Sequence, residues 1–224
     1  MKRTYFFILI LSIFLSIEGY AQNGKFSRDL DSNYYKSILD SLQLRLGTFK
    51  DFPPSIQLQL FTTLSYFPEL DSSKIIFKSA QIKTTMNARP MILSCLLHSK
   101  KNRKYVIRIN NKVCDSIIDF YQAPFNAQIG LMGHEFCHIL DYNSMSIWKL
   151  LKLSISYKSK KGKIVLENKI DRMTISKGLG WQVYDWSDFV LNNSNASELY
   201  KNYKRRIYLK PNEIKEIIYS DERY

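Results

Sequence analysis

Histidine is scarce in this 224-residue chain: there are three, His98, His134 and His138. Cysteine is as rare, at Cys95, Cys114 and Cys137, and no two of them stand in a Cys-x-x-Cys spacing. That excludes a cysteine-ligated structural zinc, and three thiols allow one internal disulfide at most. Cys95 and Cys114 are the pair outside the histidine motif, and spacing alone does not establish a bond between them. Internal repeats and low-complexity tracts are absent, which leaves a globular chain. No apolar stretch reaches the ~20 residues that a membrane-spanning helix needs. The longest, Tyr5–Ile17, has 13 residues and is broken by Ser12 and Ser16.

That short stretch reads as a secretion signal. Lys2 and Arg3 precede it, and Gly19 and Ala21 are the small residues of a cleavage site, so cleavage is expected after Ala21. Retention of the segment as an N-terminal anchor is the alternative. Residues 22–224 then form a single exported domain, periplasmic or secreted, with a sheet-containing lobe to about residue 125 and a helical lobe over 126–224. The net charge is +13, and +12 once Lys2, Arg3 and Glu18 are removed. Bases cluster at Lys100–Lys104, Lys158–Lys163 and Lys204–Arg206. With no nucleic-acid motif beside them they read as solvated loops, and no nucleic-acid partner is expected.

Leu30–Leu46 repeats Tyr34, Ile38, Leu42 and Leu46 at helical spacing, with Gly47 as a stop. Pro53-Pro54 opens a second helical stretch over 56–64. "KIIFKSA" (74–80), "MILSCLLH" (91–98) and "KYVIRIN" (104–110) read as strands, the last two as a hairpin around a basic turn. After Pro124, helices are expected at about 126–141, 144–157, 164–177, 180–192 and 197–206, and from Pro211 onward. The order predicts an α+β fold, a small β-sheet followed by a helical bundle.

The first of those helices contains "GLMGHEFCHILDY", residues 130–142. At ~100° per residue, His134 and His138 lie ~40° apart on one face, one turn above the other. Two imidazoles stacked this way can bind one zinc ion. Glu135, beside that face, can take a proton from a water at the open zinc position. The rest of the helix is apolar, with Ile129, Leu131, Met132, Phe136, Ile139 and Leu140, and a buried glutamate there needs a partner. Cys137 falls near the metal face but reads as a core residue. Asp141, near the same face, is a candidate to support a ligand. The alternative is a buried helix whose histidines are satisfied core residues.

A catalytic zinc needs a third protein ligand and one open position. A third histidine at 144 is excluded by Ser144, and His98, in an expected strand, has a surface or core role. "IVLENKIDRMTISKGLG" (164–180) offers carboxylates instead. With Glu167 at 0° on a helical wheel, Asp171 falls at ~40°, while Asn168, Lys169, Arg172 and Ser176 cluster between ~100° and ~200°. Two inward acids one turn apart repel unless something positive meets them. Zinc for Glu167, and the free ring N–H of a zinc-bound histidine for Asp171, would satisfy both. A partly exposed helix whose acids pair with Lys or Arg is the alternative.

His134-Glu135-x-x-His138 followed by Glu167-x-x-x-Asp171 resembles the gluzincin-type zinc metallopeptidases. Glu167, Asp171 and Gly178 look most like their M48-like branch, over roughly residues 104–180. The resemblance implies a zincin-like fold, with His134, His138 and Glu167 as zinc ligands, Glu135 as the base and Asp171 orienting a ligand histidine. It implies a peptide or protein substrate, paired to strand 104–110, and a downstream group that steadies the oxyanion. Tyr184, Tyr203 and Arg205 are candidates for that group, and none stands out. The expected function is an exported metallopeptidase that hydrolyses peptide bonds through a zinc-activated water. Two alternatives stand beside it: a non-catalytic zinc-binding envelope protein, and a basic exported binding module whose motif is accidental. A merely structural zinc would have no need of Glu135.

Overall fold

Turn and cap residues set most of the element boundaries. The computed structural model describes residues 25–111 and 117–224; the expected leader, its cleavage point after Ala21, and Cys114 lie outside them. Two short helices, α1 (Ser32–Ser37) and α2 (Leu39–Leu46), stand where one was expected over 30–46. Asp31 caps α1 by accepting from the Asn33 N–H, and the helix breaks at Ile38, where ψ is 7°. Pro54 starts a single 3-10 turn that leads into α3 (Gln57–Leu64).

One sheet follows, built from β1 (Lys50–Asp51), β2 (Lys74–Ala80), β3 (Met86–Pro90) and β4 (Lys104–Asn110), in the order β1-β2-β4-β3. β1, β2 and β4 run parallel; β3 runs antiparallel to β4, with Ala88 opposite Ile107. The strand and hairpin expected from 91–98 are overturned. Ile92–Leu97 is a helix, α4, and the antiparallel partner of β4 is β3. An apolar run of this length does not separate strand from helix by periodicity. Here, moreover, the run is turned outward, with Ser94 and Cys95 inside. β4 is paired on both sides, which leaves no backbone groups there for an extended peptide, so the pairing expected at 104–110 has no room. The open edge beside the helices belongs to β3.

The second half is helical: α5 (Phe125–Ser144), α6 (Ile147–Ser156), α7 (Lys160–Thr174), α8 (Gly180–Asp188), α9 (Glu198–Ile207) and α10 (Pro211–Tyr219). Ser146, Ser159 and Ser197 cap α6, α7 and α9 by accepting first-turn N–H bonds. A π-turn joins α7 to α8, and Gly178 within it has φ of 90°, a conformation costly for any side chain. α5 is central. Gly130 lets it lie directly against the backbone of α8, because a Cβ there would sit 2.0 Å from the Gln182 carbonyl oxygen.

The sheet meets α5 through a cross-strand row of Phe77, Ile107 and Ala88, all buried. Phe136 of α5 packs edge-on to Phe67 and Phe77, with ring centroids 5.4 and 6.5 Å away. One apolar cluster runs from Leu30 to Tyr200, so the sheet-containing and helical halves share a core. The architecture is α+β with a small four-stranded sheet. Among the described residues, no helix is long and apolar enough to cross a membrane.

Candidate metal centre

α5 buries His134, Glu135 and His138 against α7 and β3, and α7 supplies Glu167 and Asp171, both buried. One ligand atom from each of His134, His138 and Glu167 lies within 4.8 Å of the others, so the three could hold a metal ion. Glu167 Oε2 is 3.0 Å from His134 Nε2 and 3.3 Å from His138 Nε2.

Each of these groups is braced from behind. Asp171 Oδ1 is 2.7 Å from His134 Nδ1, and its Oδ2 accepts from the Leu209 N–H at 3.0 Å. The Tyr157 hydroxyl donates to Glu167 Oε1 at 2.6 Å. Tyr142 stacks on His138 at 5.7 Å between centroids, with its hydroxyl 3.5 Å from Nδ1. A ligand whose far side is occupied keeps its near lone pair aimed at the centre.

His134 lies between two carboxylates. Burial alone would lower its pKa, but the bonds to Asp171 and Glu167 outweigh burial and raise it to about 10. Without a metal, therefore, His134 is an imidazolium whose proton supplies the positive charge the two acids require. Burial works against the charge on Glu167 as well, and the His138 and His134 rings overcome it, holding the acid well below the usual carboxylate range. Burial first, then the Glu167 charge, push the Tyr157 phenol above its ordinary value, so it stays a donor.

Glu135 finds its partner on the sheet: Oε2 accepts from the Ala88 N–H at 2.5 Å. The Met91 N–H bonds Lys104 O and the Asn110 N–H bonds Thr85 O, so odd-numbered residues along this stretch face β4. The N–H of Ala88 therefore points out of the open edge, toward α5. This contact explains how a glutamate is accommodated in an apolar helix.

Other residues lie elsewhere. Asp141 is paired with Lys169 of α7 and hydrogen-bonds neither histidine, so its expected support of a ligand is not seen. His98 ends α4, exposed, its Nδ1 3.3 Å from Ser94 O. Cys137 is fully buried, and burial pushes its thiol up to about 12, in keeping with a core role. Cys95 and Cys137 are both free thiols. Tyr184 packs against Trp181 beneath Lys215, Tyr203 lies under Lys163, and Arg205 pairs with Glu198.

The residue that does approach His134 is Tyr208, whose ring centroid is 5.7 Å away. Burial first, and then Glu167, push its pKa well above the ordinary value, so the phenol keeps its proton. Lys204 is buried, with Nζ 3.9 Å over the Tyr208 ring. Tyr208, Lys204, His134, Glu135 and Asp171 line one cavity, with about 30 Å³ for the centres of water molecules, room for roughly two or three. Nothing in the motif spacing points to Tyr157 or Tyr208; they reach the site by tertiary packing. No protein-family model, curated protein or solved structure matches the chain.

Proposed function

We propose that His134, His138 and Glu167 hold a zinc ion, and that the chain is an exported zinc-dependent peptidase of zincin-like build, resembling the gluzincins. The observation that carries this reading is the convergence of two imidazoles and one carboxylate within 4.8 Å, beside a second, separately anchored glutamate. Zinc bonds of ~2.0–2.1 Å at tetrahedral angles separate ligand atoms by about 3.3–3.4 Å. The 3.0 and 3.3 Å pairs need to open by only tenths of an ångström. Nitrogen and carboxylate donors suit zinc, and three of them leave one position open, as catalysis requires.

Zinc bound by these residues would supply a Lewis acid for a substrate carbonyl and a water of lowered pKa. Glu135 would be the base that accepts a proton from the attacking water and returns it to the leaving amine. Its Oε2 is tied to Ala88, which holds the carboxylate in place and leaves Oε1 for the water. Tyr208, protonated and next to His134, is the donor suited to the developing oxyanion, in place of Tyr184, Tyr203 or Arg205. Asp171 fixes the ring of His134, and Tyr157 fixes the Glu167 carboxylate. An extended peptide would meet the outward backbone groups of β3 other than the Ala88 N–H that Glu135 holds, rather than those of 104–110.

The test is elemental analysis of the chain from Gln22, with peptide hydrolysis by wild type and Glu135→Gln. One zinc per chain in both, with turnover lost in the variant by about 10²-fold or more, is the expected result. Wild type without zinc overturns the metal centre; full activity in Glu135→Gln overturns the mechanism.

A further inference from the structure

Two stretches of the chain contain no acid. Residues 72–114 and 142–166 hold 16 of the 33 lysines and arginines and none of the 20 aspartates and glutamates. The remaining residues carry 17 bases against 20 acids, so the whole positive excess lies in these two stretches.

The same stretches carry α4 and α6, each of which turns a row of apolar side chains outward. In α4, Ile92, Leu93, Leu96 and Leu97 are 61–69 % exposed. In α6, Trp148 and Ile155 are 72 % and 67 % exposed, with the exposed Leu151 between them, and at ~100° per residue the three share a ~60° arc. A single exposed leucine is ordinary, whereas two helices of them mark an interaction surface. The chain just beyond α4 meets the turn that enters α6: Lys100 Nζ donates to Ser144 O, and the Arg103 guanidinium donates to Tyr142 O and Met145 O. Lys100, Lys101, Lys104, Lys149, Lys152 and Lys158 are exposed around that junction.

We propose that the face formed by α4 and α6 docks on a lipid bilayer bearing anionic headgroups. Leucine, isoleucine and tryptophan enter the boundary between headgroups and acyl chains, while the lysines meet lipid phosphates. A second copy of the chain would bring the same positive charge against itself. A nucleic acid would engage the lysines and leave the apolar side chains in water. The docking does not depend on a metal.

Flotation of the chain from Gln22 with phosphatidylcholine vesicles, with and without phosphatidylglycerol, tests this. That form retains every described residue and omits the apolar 5–17 run. The wild type is expected to float with the anionic vesicles. Trp148→Ser/Ile155→Ser and Leu93→Ser/Leu96→Ser should each weaken binding by about tenfold or more. Both should keep the wild-type circular dichroism. Leu44→Ser, at a still more exposed leucine elsewhere, should bind as wild type does. Three results overturn the proposal: no vesicle binding, variants that bind like wild type, or a sedimenting dimer that Trp148→Ser dissolves. Binding to duplex DNA or heparin without binding to vesicles overturns it as well.

Discussion

At neutral pH His134 is protonated in the metal-free protein, because a pKa of about 10 between Asp171 and Glu167 lies well above 7. A zinc ion bound as proposed would have to displace that proton from Nε2, with Nδ1 kept on Asp171. One pKa unit is worth about 1.4 kcal/mol, so at pH 7 the exchange costs about 4 kcal/mol, or roughly a thousandfold in apparent affinity. The same shift acts on stability. A folded-state pKa raised above the usual 6.5 stabilises the metal-free fold fully below about pH 6.5, and that contribution is lost as pH rises toward 10. Between pH 7 and pH 9 the loss is about 2–3 kcal/mol, which lowers Tm by about 5–10 °C for a chain of this size. Zinc-loaded protein has no such proton to lose. Titration calorimetry of zinc into chelator-treated protein, in buffers of different ionisation enthalpy, should count at least one proton released per zinc. Scanning calorimetry should find the metal-free Tm falling over this range. Zinc binding without proton release, or a metal-free Tm that is flat or rises with pH, would refute the account.

Asp171→Asn removes the charge behind His134 and should weaken zinc binding about 10–100-fold in competition with a chromophoric chelator. Tyr208→Phe should keep zinc and fold but lower kcat by about 10²–10³, with KM little changed; an unaltered kcat removes Tyr208 from the oxyanion role. Gly130→Ala forces a Cβ to 2.0 Å from Gln182 O, and urea unfolding should find it destabilised by about 3 kcal/mol or more.

His134, Glu135 and His138 are legible in the sequence because their relation is local, one turn of one helix. The helical wheel likewise turns Glu167 and Asp171 inward. What surrounds them is not local. Tyr157 and Tyr208 stand at no fixed spacing from the motif, and Ala88 joins the site only because β3 forms the sheet edge. That strand, "MNARP", alternates apolar and polar residues, yet it is only five residues long and contains no β-branched or aromatic residue, so its composition does not mark a strand. α4 misleads for the opposite reason: its leucines invite burial, and the fold leaves them in solvent. Tyr184, Tyr203 and Arg205 qualify by chain position alone, and their side chains have other neighbours.

The carboxylate of Asp171 is clamped from two directions, by His134 and by a backbone N–H that lies 38 residues further along the chain. A growing polypeptide therefore acquires both histidines and Glu167 well before it acquires Leu209. Until then Asp171 lacks one of its two partners, and the brace behind His134 is incomplete. A chain ending at Lys204 should thus bind zinc far more weakly than the whole one, although it holds every ligand. Under the proposed reading, tight metal capture waits for the segment around Leu209. On that reading, the ion retained would be the one present once Leu209 has joined the fold, not one met earlier.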